Sequence, residues 1–484
     1  MATLSSPGIG SGLDVKSIVT QLVALERLPV TKLQTKGTAL QTKLSAYGQI
    51  KSSLATLDDA ATALTDSTTW KARTFTSNNT TAITGSATST ALASSFAVQV
   101  TALAQVQSLK SNSVVAGAAI GAAGRLDIQA GQWTGVSFDG SNNDGGSNAT
   151  FSVSIAATDT LTEVASKINT AAAGVSAVVV TSGGLDRLLI RGNTTGDANG
   201  FKIDAFDGSS TQITDGTTGV GAYAYSVGGF PATMYGMTRT QTAQNSALTI
   251  DGIAISSASN TVSDAVPGIT LNLQATTSTA AQVTVGVDKE FIKTKLESFR
   301  TAYNDIRTKL AGFMLYDPAS KTGGPLLGDN TSLGIEKMLR DMVSATGPAA
   351  STISRLSDMG LQTQRDGTLL SNTTKLDSAL QDVANVQAFL ATSTGTSSTD
   401  GVARRLRDFA RGLNNIDGNV TGRNTALQAA ISRNSKEIDT MTARVTRTEA
   451  RLYAQYGRLD SSLSSINGIG SFMSSQIAQW NKSG

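Results

Sequence analysis

Residues 427–466, LQAAISRNSKEIDTMTARVTRTEARLYAQYGRLDSSLSSI, decide how the chain is read. Ile431, Ile438, Val445, Leu452, Leu459 and Ile466 recur every seven residues, and Leu427, Met441 and Leu463 stand three or four positions from them. That is the spacing of a narrow apolar seam along one helix. Near the other end Leu33, Leu40, Tyr47 and Leu54 keep the same interval, flanked by Leu44, Ile50, Leu57 and Leu64. A helix with so narrow a seam cannot cover it alone, so the termini are expected to pack on each other or on other subunits. Between them the pattern changes to short strands punctuated by glycine. The expected fold is therefore α+β and multidomain, a helical coiled-coil stem formed by both termini with β-rich head domains inserted between them.

Composition sets limits on function. With 484 residues the chain exceeds one ordinary core, and about two to four domains are expected. Hydrophobic residues make up 39% before glycine is counted, which permits a sizeable core, while aromatics at 5% point to thin modules built from small side chains. Lys+Arg 39 against Asp+Glu 36 is too balanced to be a footprint for nucleic acid. The arginines from Arg404 to Arg458 are interleaved with Asp408, Glu437, Asp439 and Glu449, as on a solvated or ion-paired helix face.

The chain has no cysteine and no histidine, which removes disulfides, thiolate and imidazole metal sites and the commonest general base together. An enzyme is not expected, and neither is a cofactor. The start of the chain lacks a basic region followed by an apolar block and a cleavage site, and no run of eighteen apolar residues occurs. Neither a cleaved signal peptide nor membrane insertion is expected.

Asp14 is a candidate N-cap behind SPGIGSGL, opening an amphipathic helix of Val15, Ile18, Val19, Leu22 and Leu25. Pro29 either kinks this helix or separates it from a second one capped by Thr31, and two segments are favoured, ending near Leu64. From about Thr74 to Asp288 the alternation of FAVQVTAL and ATFSVSIAA and the runs AVVV and LLIRG predict strands. One helix interrupts them, with Thr160 and Glu163 as a capping box and Leu161, Val164, Ala165 and Ile168 on one face. Helical spacing then returns, with Phe291, Ile292, Leu296, Phe299, Tyr303, Ile306 and Leu310 on one stripe. Leu333, Ile335, Met338, Leu339 and Met342 predict the next helix, and two more precede the final segment.

Motifs that could carry chemistry are weak. GIGSG lacks the spacing of a dinucleotide loop and follows no strand, and GGPLLGDNT lacks the lysine of a phosphate loop. DGSNNDGG offers oxygen ligands, but Asp144 stands where a calcium loop needs glycine. Asp139, Asp144, Asp186, Asp204, Asp207 and Asp251 sit mostly beside Gly, Asn or Ser, the company of turn aspartates. No catalytic, cofactor-binding or metal residue is assigned. Trp480 follows FMSSQIA and is read either as a partner contact or as packing on its own stem.

Several blocks resemble the bacterial flagellar filament-capping family, also called hook-associated protein 2. GIGSGLDVKSIVTQLVALERLPVTKL is similar to its N-terminal signature, and LTIDGIAISSASNTVSDAVPGITLNLQ to the strand pair that ends its head. FIKTKLESFRTAYNDI, PLLGDNTSL and MGLQTQRDGTLLSNTTKLDSAL resemble successive blocks of its C-terminal region. TLTEVASKINTAAAGVSAVVV is similar to a repeat shared by flagellins and their associated proteins.

On that resemblance, 1–30 is a flexible N-terminal leg, 31–73 the N-terminal stem helices and 74–110 with 241–288 the first β-rich head domain. Residues 111–240 are then a second α+β head domain, 289–425 the helical stem and 426–484 the C-terminal coiled-coil leg. The assembly interface is assigned to Ile18, Leu22, Leu25, Leu33, Leu40, Tyr47 and Leu54, and to Ile431, Ile438, Met441, Val445, Leu452, Leu459, Leu463, Ile466 and Trp480. The resemblance implies export through the flagellar type III channel and assembly at the distal tip of the flagellum as a homo-oligomeric ring of about five subunits, with four to six possible. The implied partners are flagellin, the hook-filament junction protein and an export chaperone at the C-terminal region. A secreted adhesin whose head binds mucin or glycans is the alternative.

Overall fold

A computed structural model describes residues 14–142, 149–171, 173–226 and 236–481. In chain order the helices are α1 (Val15–Thr65), α2 (Ser67–Trp70), α3 (Leu161–Ala171), α4 (Lys289–Met314), α5 (Asn330–Ser344), α6 (Thr373–Ala379), α7 (Val383–Ala391), α8 (Val402–Asn414) and α9 (Asn419–Trp480). The chain divides into two compact units, Lys71–Asp288 and a second made of Met1–Trp70 with Lys289–Gly484.

Lys71–Asp288 is built from antiparallel strands around two cores. In the first, Arg73–Ser77, Ala281–Val287, Ser94–Ala102, Ser246–Ile250 and Ile253–Ser257 hydrogen-bond in that order. Strict alternation buries Phe96, Val98 and Val100 of one strand against Leu248, Leu271, Val283 and Val285. The Ile250–Ile253 hairpin turns on Asp251 (φ 47°) and Gly252 (φ 84°), the left-handed pair a two-residue turn requires, and Asp251 accepts a bond from Ala97 N–H at 2.8 Å. The second core gathers Leu126, Ile128, Leu188, Ile190, Phe201 and Ile203 under α3. There the capping box forms as the sequence predicts: Thr160 N–H donates to Glu163 at 2.7 Å and Glu163 N–H to Thr160 Oγ1 at 3.4 Å.

In the helical unit α1 is a single helix, so the favoured break at Pro29 is wrong. Proline removes the N–H that would bond the Leu25 carbonyl. Position 29 is exposed, however, and water can satisfy that group without ending the helix. Asp14 does cap it, accepting from Ser17 N–H at 2.9 Å. The C-terminal half of α1 carries the core: Tyr47, Ile50, Leu54, Leu57 and Leu64 are inaccessible, as are Ile292, Leu296, Phe299, Tyr303, Ile306 and Leu310 of α4. Phe291, expected on that stripe, is exposed instead. In α5 the covered face is Ser332, Ile335, Leu339 and Val343, leaving the expected Leu333 and Met338 exposed. Both choices satisfy helical spacing, and packing on α8 selects between them.

Asp329 ties α1, α5 and α9 together. Its carboxylate caps α5 by accepting from Ser332 N–H at 3.1 Å, and it accepts from the Tyr47 hydroxyl of α1 and from Arg423 Nη2 of α9 at 3.0 Å. Burial alone would raise its pKa, but the bonds from Tyr47, Ser332 and Arg423 outweigh it and hold the carboxyl below its ordinary value. The folded pKa lies below the unfolded one of about 3.9, so the stabilisation is full above about pH 4 and is lost as pH falls through the depressed value. In denaturant unfolding, Asp329→Asn is expected to be less stable than the parent at pH 7, with the gap closing below about pH 4. A gap that stays constant down to pH 3 would show that the charge of Asp329 does not matter.

Candidate assembly interface

Helices α1 and α9 run antiparallel, and α8 packs on α1 beside the start of α9. Arg411 of α8 holds Asp58 of α1 at 3.0 and 3.2 Å. Asn414 Nδ2 donates to the Lys51 carbonyl at 2.9 Å, and Asn434 Nδ2 to the Leu33 carbonyl at 2.9 Å. Val15, Val19 and Val23 then close on Val445, with Val30, Leu452, Tyr453 and Tyr456 packed around them and Arg27 paired with Glu449 at 3.6 Å.

At the start of α1 the seam keeps only Val15 and Val19 of the expected stripe Val15, Ile18, Val19, Leu22 and Leu25, and adds Val23. Valines at 15, 19 and 23 face α9, whereas Ile18 is half-buried, Leu22 is 36% exposed and Leu25 64% exposed. The valine row and the Ile/Leu row each recur at helical intervals, so spacing alone could not choose between them. Leu33 and Leu40 are half-buried along the pair. Tyr47 and Leu54 lie in the unit's core, fully covered by the chain itself.

On α9, Ile431, Ile438, Met441 and Leu452 are half-buried and Val445 is buried. Beyond Tyr456 no residue of α9 is buried: Leu463 is half-covered, Leu459 is 46%, Ile466 61% and Trp480 82% exposed. Ile469, Phe472, Met473 and Ile477 are exposed with them. The heptad row therefore continues through Leu459, Ile466, Met473 and Trp480 past the point where α1 covers it. Val15, the first residue of α1, already packs in the cluster that holds Tyr456. Residues 1–13, which include the leader SPGIGSGL, lie outside the described residues.

Sequence reasoning missed Asn434 and Gly37. Asn434 stands three residues after Ile431, where Met441 stands after Ile438, so a polar break in the seam was visible. The side chain is 3% exposed and its Oδ1 has no hydrogen-bond partner. Gly37 allows this approach, because a Cβ there would lie 2.9 Å from Asn434 Nδ2. A buried Asn at a seam position costs stability and disfavours alternative registers.

Among the described residues no group of three or more acidic or metal-binding side chains could hold a metal ion, and no helix is long and apolar enough to cross a membrane. The candidate carboxylates serve turns and local pairs. Asp139 bonds Ser141, Asp186 bonds Thr181 and Gly117 N–H, and both are held below the ordinary carboxyl range by those bonds, the hydroxyl donors first. Asp204 pairs with Lys202, and Asp207 accepts from Ser209 and Thr211 N–H. Asp144 lies outside the described residues.

The close approach at Gly37 can be tested against Gly48, whose Cβ position in the same helix has nothing within 4 Å. Gly48→Ala is expected to stabilise the chain by up to about 1 kcal/mol, the ordinary helix gain. Gly37→Ala is expected to show no gain or a loss in the same unfolding assay, and to recover the gain when Asn434→Ala is added. Equal effects at both glycines would contradict the packing described.

Comparison with known proteins agrees with this architecture. The family model for the flagellar hook-associated protein 2 N-terminus matches residues 11–107, and that for its C-terminus matches residues 243–468. The Flagellin hook IN motif matches residues 141–194, which contain α3. The flagellar hook-associated protein 2 of Escherichia coli K12 is 29% identical, with 99% of this chain and 98% of that protein covered. The B-type protein of Pseudomonas aeruginosa is 28% identical over 94% and 93%. The crystal structure of the D1-D2-D3 domains of the flagellar cap protein from Escherichia coli superposes with a TM-score of 0.56 at 28% identity, covering 79% of this chain and 99% of that one. With the family's N- and C-terminal models matched in order over residues 11–107 and 243–468 and relatives of that name aligned over nearly their whole length, the chain belongs to the flagellar hook-associated protein 2 family.

Proposed function

We propose that the protein is the structural cap at the distal tip of the flagellar filament, a homo-oligomeric ring that admits flagellin and promotes its folding without a chemical step. The observation that carries this reading is the apolar row of α9 from Leu459 to Trp480, which α1 leaves uncovered. A soluble chain gains nothing from such a row unless another chain buries it.

In this reading 1–30 and 426–484 are legs that contact flagellin, 31–73 and 289–425 form the stem, and 74–110 with 241–288 and 111–240 are the two head domains. The assigned interface then narrows to Ile18, Leu22 and Leu25 of α1 and to Leu459, Leu463, Ile466 and Trp480 of α9, the members with surface to offer. Export without a cleaved signal peptide through the flagellar channel, a chaperone on the C-terminal region and a junction protein beneath the filament complete the proposal.

Removal of the residues after Arg444 is expected to abolish filament growth while Lys71–Asp288 keeps its strand spectrum by circular dichroism. Filaments of normal length from such a strain, seen by electron microscopy, would refute the proposal.

A further inference from the structure

A second surface of the same helix pair points to a partner of different chemistry. Next to the close approach at Asn434, α1 and α9 line a groove of about 720 Å³ whose apolar residues are Pro29, Leu33 and Met441. Its walls are basic: Lys32 and Lys36 from α1, and Lys436, Arg444 and Arg447 from α9. All five are exposed, and none is in an ion pair, although Arg27 beside them pairs with Glu449. Among the described residues lining the groove, Glu437 is the only carboxylate.

Five cations around an apolar floor are an unbalanced arrangement in a chain whose net charge is only +3. Lys436, Thr440, Arg444 and Arg447 follow helical spacing, so they form one row on α9, and Lys32 and Lys36 form a shorter row opposite. The α9 row spans about 16 Å at 1.5 Å per residue, or about three helical turns.

We propose that this groove docks a three-turn amphipathic acidic helix of another protein. Leucine- or methionine-like side chains would meet Leu33 and Met441, and carboxylates on both flanks would pair with the two cationic rows. The apolar floor favours this occupant over a nucleic acid or a lipid surface, because a polyphosphate leaves Leu33 and Met441 in water and a bilayer cannot enter between two helices. The proposal rests on the assembly reading only for where such a partner is met. It concerns a face different from the Leu459–Trp480 row.

The test uses the full chain and a fluorescein-labelled peptide of about 14 residues with leucines at i, i+3, i+7 and i+10 flanked by glutamates. Fluorescence anisotropy is expected to show saturable binding that weakens with salt and falls at least about tenfold in the triple variant Lys436→Glu, Arg444→Glu, Arg447→Glu. These positions are exposed, so the variant should keep the parent's helical circular dichroism. It should also bind the lysine-for-glutamate twin of the peptide, which the parent should not. No saturable binding, equal binding by parent and variant, or binding of polyglutamate, single-stranded DNA or phosphatidylglycerol vesicles as tight as that of the peptide would overturn the proposal. Filament growth after deletion beyond Tyr456, which spares Arg447 and the rest of the groove, reports on the capping reading separately, since the peptide assay needs no filament.

Discussion

The antiparallel contact of α1 with α9 is the constraint on which the helical unit depends. It joins residues more than four hundred positions apart, as where Asn434 meets the Leu33 carbonyl, and so returns both ends of the chain to one unit. Lys71–Asp288 can then be an insertion with cores of its own. Arg423 of α9 and Tyr47 of α1 meet on Asp329, which carries the same pairing into the N-terminus of α5.

Support along α1 is uneven. Between Ala46 and Leu64 every core-facing residue is inaccessible, whereas residues 15–30 are held by valines and one exposed ion pair. A buried valine contributes about 1.5 kcal/mol, while ordering one residue's backbone costs about 1–2 kcal/mol. The exposed Arg27–Glu449 pair adds little. Stability therefore grades down from the core toward the open end of the pair, the property of an element completed by a partner.

Much of this was legible in the sequence. The heptad row of α9, the Asp14 cap and the Thr160–Glu163 box are local patterns whose geometry is fixed by helix spacing alone. The errors arose where two local solutions tie and tertiary packing decides. Valine and leucine rows compete at the start of α1, and Pro29 can break a helix or ride on its exposed side. The Tyr47–Asp329 contact spans 282 positions and has no local signature. Asn434 did leave a mark, a polar residue in an apolar row, but its meaning appears only with Gly37 opposite.

The central claim is that α9 beyond Tyr456 is uncovered in the lone chain and becomes covered by neighbours. Hydrogen exchange by mass spectrometry on the isolated chain and on assembled filament tips tests it directly. In the isolated chain, amides of residues 46–64 are expected to exchange slowly and those of 459–480 quickly, the latter slowing on assembly. Equal, strong protection of 459–480 in the isolated chain, unchanged on assembly, would contradict the account.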